Sequence, residues 1–384
     1  MKRLKIIHFI HGLSTGGAET LVKDYLLNFD KFNFDVVLVC LFHEVDSPYE
    51  EILVKNRIRV IYVEDLFSVK RRKNIVSRAI NKCNRFFIVR KIIKKESPDI
   101  LHTHLTLNSM VKFARPRKEA IIFHTVHNEP RVLWSRDKKG RQKDFNAAKW
   151  LVKNHDMRFI VLHDKMRKEV NKLFEVSNTV VLNNGIELSK FGNMKDKKRI
   201  RSALNIPLDA FVVGHVGRFS EQKNHDFLVD VFLRVKSENK KAFLLMIGDG
   251  VDKKKIIDKL EKVGMGGNYL ILSNRGDVAD LMSVMDVFVF PSKYEGLGIV
   301  LIEAQETKLP CFVSSNVPEH ATISNLVTRL SLKDGPSKWA DTVLNYEKPS
   351  KIIVNDADWD IKKATKRLEK IYLDALKEKQ DGGK

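Results

Sequence analysis

Short runs of β-branched and aliphatic residues alternate with longer stretches of helical periodicity along almost the whole chain, and that rhythm leaves few folds open. KIIHFI, FDVVLVCLF, IRVIYV, DILHTH, IIFHTV, RFIVLH and TVVLNN form a first series. A polar, lysine-rich break from Lys195 to Arg201 follows. AFVVGHVG, AFLLMIG, YLILS, VFVFPS and CFVSS then resume the rhythm. Continuous Val/Ile/Leu runs are what strands covered on both faces look like. Helical segments between them predict βαβ units and parallel sheets. A chain of 384 residues is long for one core. Two series with a charged break therefore predict two doubly wound α/β domains, 1–192 and 193–357. The segment 358–384 carries one more amphipathic helix, WDIKKATKRLEKIYLDALKEK, and ends in a frayed DGGK.

No apolar run approaches the ~20 residues of a membrane helix. The opening MKRLKIIHFIHG begins like a signal peptide, but His8 interrupts a short apolar part and no small-residue cleavage site follows. A buried first strand fits it better. Three cysteines, Cys40, Cys83 and Cys311, are odd in number and far apart, which predicts reduced thiols in a cytoplasmic protein. The net charge of +21 speaks of partners rather than fold, with nucleic acid, anionic lipid and phosphorylated ligands as candidates. The segment 66–95 holds eleven Lys or Arg and no Asp or Glu, interleaved with Ile75, Ile80, Phe86, Phe87, Ile92 and others. It reads as a basic amphipathic helix suited to an anionic membrane face, or as a solvated helix in a lysine-rich chain.

Ligands of parallel α/β sheets bind beyond the carboxyl ends of the strands, so residues just after strand runs carry the chemistry. After KIIHFI comes HGLSTGGAE. Gly16 and Gly17 suit a backbone that approaches a ligand at a helix start. The spacing is not the dinucleotide GxGxxG, and a plain βα turn reads equally well. After AFVVGHVG come Arg218 and Lys223, a cation pair suited to a diphosphate. After VFVFPS comes YEGLGIVLIEAQ. Glu295 falls in the loop and Glu303 more than one turn into the next helix. The amides of Leu297, Gly298 and Ile299 are open to a phosphate or sugar oxygen. Carboxylates that far apart suit two sets of hydroxyls better than one metal. After IIFHTV, His127 joins His124. His8, His11, His102, His104, His215 and His225 also fall near strand ends, with no HExxH spacing.

Six of these pieces, in this order, resemble one family. GGAE at Gly16–Glu19, TVHN at Thr125–Asn128, NNGIE at Asn183–Glu187, VGRFSEQKN at Val216–Asn224, IGDG at Ile247–Gly250 and the E-x7-E of Glu295 and Glu303 are similar to the GT-B-fold retaining glycosyltransferases of family 4. These are the group 1 enzymes of capsule and exopolysaccharide synthesis. The resemblance implies two Rossmann-like domains facing a cleft, with the last helix crossing back to the first. It implies an N-terminal acceptor side and a C-terminal donor side. Arg218 and Lys223 would hold the donor diphosphate, with Gly16 and Gly17 close by. Glu303 would bind the ribose hydroxyls. Glu295 and the backbone of Gly296–Gly298 would hold the transferred sugar, with His127 as a further contact. The base would lie near Arg275, Gly276, Asp277 and Val278. Glu295, His127, Arg218 and Lys223 would form the catalytic set. No tightly bound metal or other cofactor is implied. Leu297 stands where the family often has Phe, and His320 where an aliphatic residue is usual. Neither change removes a charge, and both bear on the choice of donor sugar.

The expected activity is transfer of a hexose-type sugar, with retention, from a nucleotide sugar to a saccharide or lipid-linked saccharide of a bacterial surface polysaccharide. The nucleotide expected on family grounds is UDP. The expected place is the cytoplasm, at the inner face of the membrane where 66–95 binds it. A GT-B-type sugar-nucleotide epimerase would need no acceptor site. An inactive subunit of a glycosyltransferase pair would not need the Arg218, Lys223, Glu295 and Glu303 set. A nucleic-acid-binding protein should interleave basic residues with aromatics in a recognisable module, and no such module is found.

Overall fold

The computed structural model describes residues 3–14, 16–44, 47–66, 75–135, 139–192 and 196–381. Residues 67–74, the first part of the basic segment, and 193–195 and 382–384 lie outside that set. The chain forms two compact units. One comprises Met1–Ser14, Ala18–Gly185 and Ile361–Lys384, the other Thr15–Gly17 and Ile186–Asp360. The units thus divide at Gly185 and Ile361, where the sequence put the divisions at 192 and 358. A backbone bond explains the shift: the Ile186 amide donates to the Trp359 carbonyl at 2.7 Å, so 186–192 is tied into the second unit.

The first unit carries strands β1 (Leu4–Ile10), β2 (Phe34–Cys40), β3 (Arg59–Tyr62), β4 (Ile100–His104), β5 (Ile121–Thr125), β6 (Arg158–Val161) and β7 (Val180–Val181). They form one parallel sheet in the order β3-β2-β1-β4-β5-β6-β7. β4 and β5 are buried at every position, as strands covered on both faces must be. The helix Ile361–Asp381 lays Ile361, Ala364, Leu368, Tyr372 and Ala375 on a core shared with Ile6, Ile100, Ile121 and Phe123. Their three- and four-residue spacing is one helix face, and burying each large apolar side chain is worth about 1.5–3 kcal/mol.

The second unit carries β8 (Phe211–Val216), β9 (Ala242–Ile247), β10 (Tyr269–Leu272), β11 (Val287–Phe290), β12 (Cys311–Ser314) and β13 (Val327–Leu330). These form a parallel sheet in the order β10-β9-β8-β11-β12-β13. β13 was not read from the sequence. VTRL is short, half polar and only partly buried at the sheet's edge, so it lacks the apolar run that marks a central strand.

In each sheet the strand order reverses once, between β1 and β4 and between β8 and β11. At such a reversal the connections leave in opposite directions and open a crevice beyond the carboxyl ends of the two strands. The residues following β1, β4, β8 and β11 are therefore the best placed to hold a ligand.

Candidate active site

In the second unit, the loops after β8 and β11 meet at that reversal. After β8 the chain passes Gly217 and Arg218 and makes a 3-10 turn at Glu221–Lys223. Asn224, in left-handed conformation at φ 58°, then opens the helix His225–Glu238. A Cβ on Gly217 would stand 3.1 Å from Cδ of Lys223, so the bare glycine gives the lysine stem room to lie against the strand end. Lys223 Nζ donates to Glu295 Oε1 at 2.7 Å and stands 4.6 Å from the centre of the Phe290 ring. Glu295 is only 5% exposed. Gln222 Nε2 donates to its other oxygen at 3.2 Å and to the Tyr294 carbonyl at 3.1 Å. The Lys293 amide donates to the Gln222 carbonyl, and Asn224 Nδ2 to that of Pro291. A buried carboxylate is tolerable when paired and hydrogen-bonded, and these loops supply both. Lysine has three donors and spends one on Glu295.

Arg218 is exposed, and among the described residues its side chain has no hydrogen-bond or ion-pair partner. Gly298 adopts φ +81° and caps the helix Ile299–Glu306. Its Cβ would sit 3.3 Å from Phe290 Cε1, so glycine suits this turn twice over. The first amides of that helix have no partner within it. Gly296 and Leu297 are buried beside the glutamate, and Glu303 is partly buried one turn and more along the helix. Arg275 donates from Nε to Asp277 Oδ1 at 2.7 Å and from a second nitrogen to Oδ2 at 2.5 Å. That bidentate pair flanks Gly276 and leads into the helix at Val278. The structure brings Lys223, Glu295 and the loop 294–299 together and sets Arg275–Val278 after β10, two strands from β8. Gln222 was missed by the sequence reading. Its only signal is its place beside Lys223 in the same turn.

In the first unit, His127 follows β5 and is partly buried. Its Nε2 lies 2.8 Å from Nδ1 of His104. Burial lowers its pKa to about 4, so the ring is neutral. Gly17 opens the helix Gly17–Asn28, and Gly16 and Gly17 group with the second unit. Ring nitrogens of His8, His102 and His104 come within 4.8 Å of one another, near enough to suggest a metal shell. Every one of those nitrogens already has a hydrogen-bond partner within the first unit, which makes the cluster a closed network. Cys40, Cys83 and Cys311 are free thiols. No helix among the described residues is long and apolar enough to cross a membrane.

Two family models match the chain. The model described as glycosyl transferases group 1 matches residues 196–355, and that described as glycosyltransferase family 4 matches residues 15–190. The chain is 28% identical over 360 residues to EpsF of Bacillus subtilis, covering 88% of this chain and 86% of EpsF. It is 25% identical over 343 residues to the UDP-Gal:α-D-GlcNAc-diphosphoundecaprenol α-1,3-galactosyltransferase of Escherichia coli, covering 84% of this chain and 82% of that enzyme. Among solved structures, Anabaena HepE in complex with UDP and glucose superposes with a TM-score of 0.75 at 16% identity, over 96% of this chain and 99% of HepE. That likeness, with the two all-parallel sheets, establishes the GT-B fold expected from the sequence.

Proposed function

This chain belongs to the glycosyltransferases of group 1 and family 4, and from that premise we propose that it moves a hexose from a UDP-sugar to a lipid-diphosphate-linked saccharide with retention. The observation that carries this reading is the buried Lys223–Glu295 pair at the β8/β11 reversal, with Arg218 exposed on the same strand-end loop. Cations there suit a diphosphate, and a carboxylate held within the same loops suits sugar hydroxyls.

Arg218 and Lys223 hold the diphosphate and stabilise charge as it leaves, together with amides at the start of Ile299–Glu306, a fixed arrangement aimed at developing negative charge. Glu295 and the backbone of Gly296–Gly298 hold the hexose. Glu303 binds the ribose. Gly276 and Val278 border the base beside the Arg275–Asp277 pair, and Gly16 and Gly17 lie by the diphosphate. His127 meets the transferred sugar. No tightly bound metal takes part, since the cations of the loop neutralise the leaving group. Two supports favour UDP and a lipid-linked acceptor. The Escherichia coli relative is named for both, and HepE was crystallised with UDP and glucose.

The acceptor side reaches an anionic membrane face from the cytoplasm through the basic segment. On the helix Ile75–Glu96, Phe87 is 61% exposed and shares an outward stripe with Lys91, Lys94 and Lys95. A basic stripe with an exposed aromatic ring suits a lipid headgroup layer.

The test is thermal shift with UDP, GDP, ADP and their sugars, followed by NMR of the product's anomeric proton. A ligand at 100 times its Kd should add about 2.7 kcal/mol to stability. A shift with UDP-sugars and an axial product bond from an axial donor support the reading. No shift with any nucleotide, or inversion, overturns it. Co-flotation with phosphatidylglycerol vesicles and not with phosphatidylcholine vesicles supports the membrane role, and equal flotation removes it.

A further inference from the structure

The histidines at the β1/β4 reversal of the first unit form one continuous hydrogen-bonded line. His127 Nε2 lies 2.8 Å from His104 Nδ1. His104 Nε2 lies 3.0 Å from His8 Nδ1, and His8 Nε2 lies 3.4 Å from the Tyr372 hydroxyl. That hydroxyl lies 2.5 Å from His102 Nδ1, whose Nε2 lies 2.7 Å from Thr125 Oγ1. His8, His102, His104 and Tyr372 are wholly buried.

Burial keeps the rings neutral, so each has one N–H and one lone pair. In His104, His8 and His102 both nitrogens are engaged, so each must donate at one and accept at the other. Tyr372 has one hydrogen for two neighbours and is bound by the same rule. The direction of donation is therefore common to the whole line, which leaves two arrangements. The contacts of Tyr372 choose between them. A separation of 2.5 Å suits an O–H donor and is too short for N–H, while 3.4 Å suits a weak N–H donor. Tyr372 thus donates to His102 and accepts from His8. Donation runs from His127 through His104 and His8 to Tyr372, then through His102 to Thr125.

We infer that this line fixes His127 as the Nε2–H tautomer and presents its Nδ1 as a bare acceptor. Nδ1 has no partner among the described residues. A bare nitrogen accepts from a hydroxyl and has no hydrogen to offer an oxyanion. Under the reading that His127 meets the transferred sugar, it selects a hydroxyl of that sugar and does not bind the phosphates. His104, His8 and Tyr372 are then positioning residues. Tyr372 exerts its effect from the last helix through two rings.

The experiment is a long-range 1H–15N correlation spectrum of the full chain with 15N-labelled histidine at pH 7.5, with His127 assigned through His127→Gln. The expected result is the Nε2–H tautomer at His127, His104, His8 and His102 alike. Tyr372→Phe, with an unchanged circular dichroism spectrum, should turn the His127 signal into a mixture of tautomers and lower kcat more than it changes KM for the donor. Nδ1–H tautomers at all four rings would reverse the line and overturn the inference. So would an unchanged His127 in Tyr372→Phe, or stoichiometric zinc in the purified protein with metal-shifted His8, His102 and His104 signals. The spectrum needs no substrate. Predicted tautomers with full activity in His127→Gln would leave the line standing and remove only the sugar contact.

Discussion

Lys223 Nζ and Glu295 Oε1 stand 2.7 Å apart although 72 residues separate them, because the loops after β8 and β11 leave the sheet at its one reversal of strand order. The pair is largely shielded from water, with side chains 15% and 6% exposed. Removing one partner from a buried pair strands a charge and costs about 3–5 kcal/mol, whereas replacing both by neutral groups costs far less. Lys223→Met should therefore lower the melting temperature by several degrees, and Lys223→Met with Glu295→Gln should recover most of the loss. Both proteins should lose at least about 100-fold in kcat, the order expected for one lost transition-state contact. Additive melting shifts in the double variant would contradict the pairing. Activity near that of the parent would contradict the site.

Arg218 presents the opposite case, since it is exposed and has no partner among the described residues. Arg218→Ala should leave the melting temperature unchanged. A charge-assisted hydrogen bond is worth about 1.5–3 kcal/mol, so the Kd for UDP should rise roughly 10- to 150-fold. Calorimetric titration measures it directly, and an unchanged Kd would remove Arg218 from the diphosphate.

Gly298 couples the glutamate loop to its helix. Alanine there must accept φ +81° and a Cβ 3.3 Å from the Phe290 ring. The left-handed conformation alone costs about 1–2 kcal/mol for a residue with a Cβ. Gly298→Ala should lower the melting temperature modestly and weaken UDP-sugar binding more than UDP binding, because the backbone of Gly296–Gly298, which serves the hexose, shifts directly, while the diphosphate keeps Arg218 and Lys223. Equal weakening of both would place the loop elsewhere on the donor.

Much of this was legible because the signals are local. Continuous apolar runs marked twelve of the thirteen strands among the described residues, and the loops that follow β8 and β11 bring Lys223 and Glu295 together. Glu295 and Lys223 each stood out within a motif of a few residues. Their ion pair did not, since no local pattern reports which strand ends are neighbours. His102 and His104 read from the sequence only as histidines near a strand end, although their two-residue spacing puts them on one strand face. Their joining to Tyr372, 270 residues on, depends on how the last helix docks. Gln222 resembles any polar loop residue until its two acceptors are seen.

Six histidines, none more than 2% exposed, set the acid limit of the fold. His8, His102, His104 and His124 belong to the first unit, and His215 and His225 to the second. Burial depresses all six, His8 and His124 to about 3 and His215 to about 4. The unfolded chain takes up protons near pH 6.5 while the folded chain refuses them. Stability is thus fully present above about pH 6.5 and falls as the pH drops below it. Each histidine contributes about 1.4 kcal/mol per pH unit there, and six together about 8 kcal/mol. A total stability of about 5–15 kcal/mol would be exhausted within one to two units. Asp144 and Glu306 work the other way, because burial raises their carboxyls to about 6 and about 7, and Glu129 and Glu369 are raised as well, so acid restores what their ionisation costs. His11, His127 and His155 are depressed by burial too and join the six, so the histidines outnumber the carboxyls. The melting temperature should therefore drop steeply between about pH 6.5 and 5, with proton uptake on unfolding. Tryptophan fluorescence follows both units, through Trp134 and Trp150 in the first, where four of the six lie, and Trp339 and Trp359 in the second. A melting temperature that stays level from pH 7.5 to 5 would mean these rings are already charged or solvated in the folded protein.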